Sequence, residues 1–231
     1  DLQGKEAGGI TQQIAATYFT TECLKKQINK VNPSNKYELK YQTPGILMID
    51  TPGHESFANL RNRGSSICDL AILVIDIMHG LEPQTLESIQ LLKKKKTPFV
   101  VILNKVDRCF GWESFANEGI RKSMKNQKNK ATVGEVENRI KDIKYQLQGE
   151  GFNSELYFKN KDLNKSICLV PTSAVSGEGI PDLLLLIVKL TEDKMKKRIT
   201  YHEKFQGTVL DIRKTEGYGS TVDAILLNGK L

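Results

Sequence analysis

Ile46-Leu47-Met48-Ile49-Asp50-Thr51-Pro52-Gly53-His54-Glu55 is the stretch on which the reading of this chain turns. A short apolar run ends in an aspartate, a Thr-Pro-Gly turn follows, and His54 heads a predicted helix that runs to about Ser66. An unbroken apolar run of this length fits a strand buried on both faces, as in a parallel sheet. Asp50 then stands at the carboxyl end of that strand, where open α/β sheets bind ligands. A carboxylate there can hold Mg²⁺ through water, and the unobstructed Gly53 amide can face a terminal phosphate. D-x-x-G alone is short and common, so its weight depends on its neighbours.

Upstream, Gly4, Gly8 and Gly9 precede Ile10-Thr11-Gln12-Gln13-Ile14, a pattern that suits a mobile loop placing the Thr11 hydroxyl on a ligand. Residues 21–36 are Lys/Asn-rich around Pro33 and read as an exposed loop. Tyr37-Glu38-Leu39-Lys40-Tyr41 alternates like an edge strand, and Thr43-Pro44-Gly45 turns into the Asp50 strand, so the two predict an antiparallel hairpin.

Downstream, Leu70 to Asp76 and Phe99 to Leu103 read as buried strands, with a helix opened by Pro83 between them. Leu86, Ile89 and Leu92 mark its apolar face, and Lys93-Lys94-Lys95-Lys96 fits its solvated C-terminus. Residues 111–131, around Trp112, read as a polar surface excursion. Val133, Val136, Ile140, Ile143 and Leu147 define an amphipathic helix. A strand at Ile167 to Val170 and a helix over 182–198, with Pro181 in its first turn, complete the pattern. Strands alternating with helices predict an α/β fold with a doubly wound, mostly parallel sheet over residues 1–200. Beyond Tyr201, Phe205 to Arg213 and Thr221 to Leu227 read as two strands, and Asn228-Gly229 is a hairpin signal. Residues 201–231 are therefore expected to open an all-β barrel domain.

With 231 residues there is ample material for a core, and the composition is that of an ordinary globular protein. No apolar run is long enough to span a bilayer, and no signal peptide opens the chain. Cys23, Cys68, Cys109 and Cys168 show no C-x-x-C spacing and read as reduced thiols of a cytosolic protein. The net charge of +7 hints at a polyanionic partner such as RNA, although solvated lysine faces produce it equally well. The chain begins with Asp1 and ends on Asn228-Gly229-Lys230-Leu231, and is expected to be a piece cut at both ends.

Four short motifs gain force from their order. The Gly-Gly-Ile-Thr loop, the Asp50 turn, Asn104-Lys105-Val106-Asp107 and Thr172-Ser173-Ala174 occur in sequence, the last three each after an apolar strand. Asn104 and Asp107 fit guanine recognition. A carboxylate accepts from guanine N1–H and the exocyclic amine together, whereas adenine lacks both donors in that arrangement, so the site's polar groups stay unpaired. The Lys105 stem can lie along the base, and Ser173 with the Ala174 amide can take guanine O6. Thr11 and Asp50 would complete an Mg²⁺ shell, and loss of a γ-phosphate would release the Thr11 loop. His54, beside Gly53, is placed to orient an attacking water, since phosphoryl transfer needs mainly positioning and charge stabilisation. His79 and His202 have no such neighbours and are assigned no chemistry.

These runs resemble the translation initiation factor 5B family of eukaryotes and archaea, translational GTPases related to bacterial initiation factor 2. The likeness lies in Glu6 to Ile14, Asp50 to Ser66, Asp76 to Thr85 and Asn104 to Arg108. Gly217 to Leu231 resembles the start of that family's β-barrel second domain. The resemblance implies GTP and GDP as ligands with Mg²⁺, and a GTPase activated by the ribosome that promotes joining of ribosomal subunits in the cytoplasm. It implies partners among ribosomal RNA, ribosomal proteins and other initiation factors, with no membrane or DNA partner and a monomeric state. In the family the threonine, Asp-Thr-Pro-Gly-His and Asn-Lys-x-Asp positions do this work, which here means Thr11, Asp50, Thr51, Pro52, Gly53, His54, Asn104, Lys105 and Asp107.

Two departures qualify it. Ala15 stands where the family usually has glycine. No G-x-x-x-x-G-K-[ST] is found, and in the family that loop lies upstream on a central strand of the sheet. The chain alone is thus expected to bind GTP weakly, to hydrolyse it barely and to fold less stably than an intact domain. The alternatives are a non-catalytic ribosome- or RNA-binding module that has lost the phosphate loop, and an elongation-factor type of GTPase, which the run from Asn59 to Ser66 fits less well.

Overall fold

The computed structural model describes residues 15–51, 68–196, 199–200, 203–215 and 217–229. Thr11, Pro52, Gly53, His54 and the helix expected after them lie outside the described residues.

Four strands form a parallel sheet in the order β3-β4-β6-β5: β3 Ala71–Asp76, β4 Phe99–Asn104, β5 Ser154–Leu156 and β6 Ile167–Pro171. The two-residue alternation of these strands divides their side chains between two cores. Leu73, Ile75, Val101, Leu103 and Leu169 point to one face. Ile89 of helix α2 (Pro83–Lys95), Ile120 of α3 (Ile120–Asn126) and four residues of α4 (Lys130–Gly149) pack there. Those four, Val136, Ile140, Ile143 and Leu147, are the expected apolar stripe. Val100, Cys168 and Val170 point the other way, onto Leu183, Leu186 and Ile187 of α5 (Ile180–Lys194). Helices on both faces make this the expected doubly wound α/β fold. Each large aliphatic side chain buried here contributes about 1.5–3 kcal/mol. Among the described residues no helix is long and apolar enough to cross a membrane.

The Asp50 strand corrects the sequence reading. β2, Gly45–Asp50, pairs antiparallel with β1, Ala15–Thr20, in a separate two-stranded sheet that sets Ala15 opposite Asp50. Instead of being buried on both faces, β2 is half-buried, with Leu47 47% exposed. Among the described residues no ladder joins β2 to β3, and Val74 of β3 is 54% exposed.

Residues 37–41 are not the partner strand. Glu38 and Tyr41 have positive φ, and the Lys40 and Gln42 amides donate to the Glu192 carboxylate of α5. Their alternation is real but serves a different surface: Tyr37, Leu39 and Tyr41 pack on the core between α1 (Thr21–Ile28) and α5. That α1 replaces the expected exposed loop. Thr20 caps it by accepting the Cys23 amide, and Leu24 and Ile28, one turn apart, are buried against Leu184, Leu185 and Val188. Ile46 packs into this core as well, which seats β2 against the body.

The excursion over 111–131 also carries structure. Ile120 and Ser123 of α3 are fully buried, Trp112 packs on the core, and Gln127 is tied to both backbone groups of Glu113. β7 (Gln206–Thr215) and β8 (Gly219–Asn228) form an antiparallel hairpin turning at Thr215–Gly219, with Asn228 ending β8. Its apolar Ile212 and Val222 remain exposed.

Candidate functional site

The parallel register brings the carboxyl ends of three strands level. Asp76 lies opposite Asn104, and Leu103 opposite Pro171, so the turns after β3, β4 and β6 meet at one end of the sheet. Apolar strand residues fix that register from both faces, and the polar residues that follow emerge together.

The turn after β4 begins with Lys105 in the left-handed region at φ 69° and continues as a single 3₁₀ turn, Val106–Arg108. A non-glycine residue there carries strain of about 1–2 kcal/mol and persists only where its surroundings fix it. They do. The Val106 amide donates to Thr172 O at 3.1 Å, and the Thr172 amide donates to Leu103 O at 2.8 Å. Lys105 Nζ lies 2.7 Å from Asp76 Oδ2, while Asp76 Oδ1 accepts the Met78 amide at 2.9 Å. His79 Nδ1 stands 3.1 Å from Asp76 Oδ2. Burial pushes the Asp76 carboxyl up, but the bonds from Lys105, the Met78 amide and His79 outweigh it and hold the group below its ordinary value.

Asn104 closes the arrangement. Its Oδ1 accepts the Ala174 amide at 3.1 Å and the Thr172 hydroxyl at 3.4 Å. Ser173 is fully buried and its hydroxyl accepts the Ser176 amide at 3.1 Å, so it shapes the turn from within, while Ala174 is exposed. Asp107 is half-buried, and its Oδ1 is a buried acceptor with no hydrogen-bond partner among the described residues. Such an atom costs about 1–3 kcal/mol unless a donor reaches it.

Asn104, Lys105, Asp107, Ser173 and Ala174 are thus gathered on two interlocked turns. Asp50 and Thr51 end the separate β1–β2 sheet, Asp50 exposed and Thr51 half-buried. Among the described residues no cluster of three or more His, Cys, Asp or Glu is arranged to hold a metal ion.

The family profile described as "Elongation factor Tu GTP binding domain" matches residues 1–193. The chain belongs to this family. Within it, the likeness is to initiation factor 5B. The eukaryotic translation initiation factor 5B of Schizosaccharomyces pombe is 55% identical over 231 residues, covering 100% of this chain and 21% of that protein. That of Saccharomyces cerevisiae is 51% identical over 232 residues, covering 100% of this chain and 23% of its own length. A crystal structure of GDP-bound aIF5B from Aeropyrum pernix superposes with a TM-score of 0.82 at 39% identity, over 97% of this chain and 37% of that one. The chain therefore spans about a fifth of the length of the curated relatives it matches.

Two residues of this family member escaped the reading of the sequence. Asp76 anchors Lys105, and its signal is the one that drew attention to Asp50, an aspartate closing an apolar strand. Glu178 is fully buried behind the Ser173-Ala174 turn, and no sequence pattern marks an acidic residue in a glycine-rich loop as interior.

Proposed function

We propose that this chain is the guanine-nucleotide-binding part of a translation initiation GTPase, with residues 1–200 forming a partial GTP-binding domain. Residues 201–231 then begin a β-barrel domain, a reading supported by a hairpin whose Ile212 and Val222 face solvent. The observation that carries the proposal is the orphaned acceptor of Asp107 on a turn locked to Ala174 through Asn104. A carboxylate so held fits the N1–H and exocyclic amine of guanine, two donors in the arrangement that adenine lacks. In this reading the Ala174 amide, which already serves Asn104, shares its proton with guanine O6. The Lys105 stem, fixed by Asp76, flanks the base.

At the phosphate end, Asp50 and Thr51 support the same reading from the mouth of β2, with Pro52 and Gly53 next in the sequence. Asp50, through water, and Thr11 would hold Mg²⁺, whose charge would offset that of the phosphates. The carboxylate and hydroxyl donor set suits that hard cation. His54 orients a water whose oxygen bonds to the γ-phosphorus as the bond to the bridging oxygen of GDP breaks, and the Gly53 amide faces the γ-phosphate. Among the described residues no ladder joins β2 to β3, and this reading assigns the place between them to a central strand bearing a phosphate loop. The ribosome, as RNA and protein, and other initiation factors are the partners of this reading, with the cytoplasm as its compartment.

The test is a titration of the isotopically labelled chain, at millimolar ligand, with GDP and ADP. Amides of residues 104–107 and 173–174 should shift with GDP and not with ADP. Equal shifts with both, or none with GDP, would overturn the base-site assignment.

A further inference from the structure

Residues 109–119, between the turn after β4 and helix α3, run behind the Ser173-Ala174 turn and are stitched to it. The Asn117 amide donates to Ser176 O at 2.8 Å, and the Gly179 amide donates to Glu118 O at 3.0 Å. Between these two backbone links lies Glu178, fully buried. Its backbone oxygen accepts the Ser173 amide at 3.0 Å. Its Oε2 accepts the Ser176 hydroxyl at 2.5 Å and the Trp112 indole N–H at 3.4 Å. Ser176 in turn donates its amide to the Ser173 hydroxyl. One residue therefore holds both ends of the Ser173–Ser176 turn, Ser173 through its backbone oxygen and Ser176 through its side chain, and that side chain also ties the turn to the only tryptophan in the chain.

The arrangement is costly if it serves stability alone. Glu178 Oε1 is buried with no partner among the described residues, a penalty that an apolar side chain of similar volume would avoid. Polar groups kept in the interior at such a cost specify a unique local geometry when they are tied into a network. The geometry fixed here is that of Ser173 and Ala174.

We propose that Glu178 and Trp112 brace the Ser173-Ala174 turn, so that residues 109–119 are a working part of the base site and Trp112 senses its occupancy. The proposal rests on the guanine reading above. Glu178 and Trp112 are positioning residues: neither is assigned contact with the nucleotide. Both act through the turn.

The experiment compares Glu178→Met, which keeps volume but removes the acceptors, with Glu178→Gln, which restores one. Trp112→Phe, a milder change, keeps an aromatic ring but removes the indole donor and part of the ring's packing. Amide hydrogen exchange is read at Ser173, Ser176 and Asn117 against Val101 and Leu103 of β4. In Glu178→Met the first three should exchange about tenfold faster than in the parent while the β4 amides hold, and Glu178→Gln should return most of the protection. Trp112→Phe should loosen the same amides to a smaller extent, and it decides the matter if Glu178→Met does not fold. In the parent, GDP should change Trp112 emission and ADP should not, with GDP binding about tenfold weaker in Glu178→Met. Unchanged protection at all three amides in folded Glu178→Met or Trp112→Phe would overturn the brace, whatever GDP does. With GDP shifting the amides of residues 104–107, an unchanged Trp112 emission would overturn the sensing role; with no GDP shift at those amides, loosening by Glu178→Met would sustain the brace and instead remove the guanine reading.

Discussion

The Asn104 side-chain oxygen accepts the Ala174 amide at 3.1 Å, so the turns after β4 and β6 share a bond and cannot separate without breaking it. The Val106 amide to Thr172 O adds a second tie two residues along. Two strands adjacent in the sheet thereby end in one rigid rim, which is how side chains about 70 positions apart in sequence can act on a single flat ligand.

Asp107→Ala should separate binding from stability. The substitution removes a buried acceptor that has no partner among the described residues, so unfolding free energy in urea should hold steady or rise by up to about 1 kcal/mol. Discrimination of GDP over ADP should fall by about 100-fold or more, read by competition against a labelled guanine nucleotide.

Gly179 and Gly177 share a left-handed backbone, at φ 73° and 76°, but not the same surroundings. A Cβ on Gly179 would stand 2.2 Å from Pro171 O, which is backbone, whereas on Gly177 it would meet the side-chain oxygen of Asn117 at 2.6 Å. Gly179→Ala should cost about 3 kcal/mol or more, and Gly177→Ala about 1 kcal/mol, because only the Asn117 side chain can turn away. Urea midpoints at constant m-value decide between them.

The Asp76–Lys105 pair gives a pH signature. Asp76 holds its proton less tightly in the folded chain than in the unfolded one. Its contribution is therefore present above the ordinary aspartate value of about 3.9 and is lost as pH falls through the lower folded value. Lys105→Ala should cost about 1 kcal/mol at pH 7, a modest figure because the lysine side chain is 43% exposed. The gap from the parent should close below about pH 4 in guanidinium titrations.

Asp182 should behave in the opposite sense. It is 1% exposed, accepts the Ile120 amide at 2.9 Å and the Tyr157 hydroxyl, and burial raises its carboxyl above the ordinary value. Its contribution is complete below the unfolded value and is lost as pH rises through the folded one. Relative to Asp182→Asn, which cannot ionise, the parent should gain stability as pH falls from 7 towards 4, by thermal melts at matched ionic strength.

Much of this architecture was legible in the chain, and the reasons are local. β4, β6 and the α4 stripe combine apolar periodicity with clear punctuation, so their neighbours in space do not alter the reading. Where the sequence reading failed, an apolar minority sat inside a polar stretch. Leu24 and Ile28 are two residues among lysines and asparagines, yet they anchor α1, and Ile120 does the same for α3. Tyr37, Leu39 and Tyr41 show the other limit: alternation reveals a shared face, but not whether a strand or a helix lies beneath it. Asn104, Lys105 and Asp107 stood out because they follow a strand as a compact polar motif. The bonds of Lys105 with Asp76, and of Asn104 with Thr172 and Ala174, depend on strand register, which no single motif contains. Glu178 was hidden for a simpler reason, since acidic residues are almost never fully buried.

The unladdered borders of β2 and β3 bear on how the polypeptide behaves in a test tube. Leu47 and Val74 each leave about half their surface wet beside a strand with no second ladder among the described residues. Backbone donors and acceptors flanked by bare aliphatics are templates on which another copy can add a strand. Light scattering that climbs with protein concentration, and subsides when either position becomes lysine, is the behaviour to expect of it.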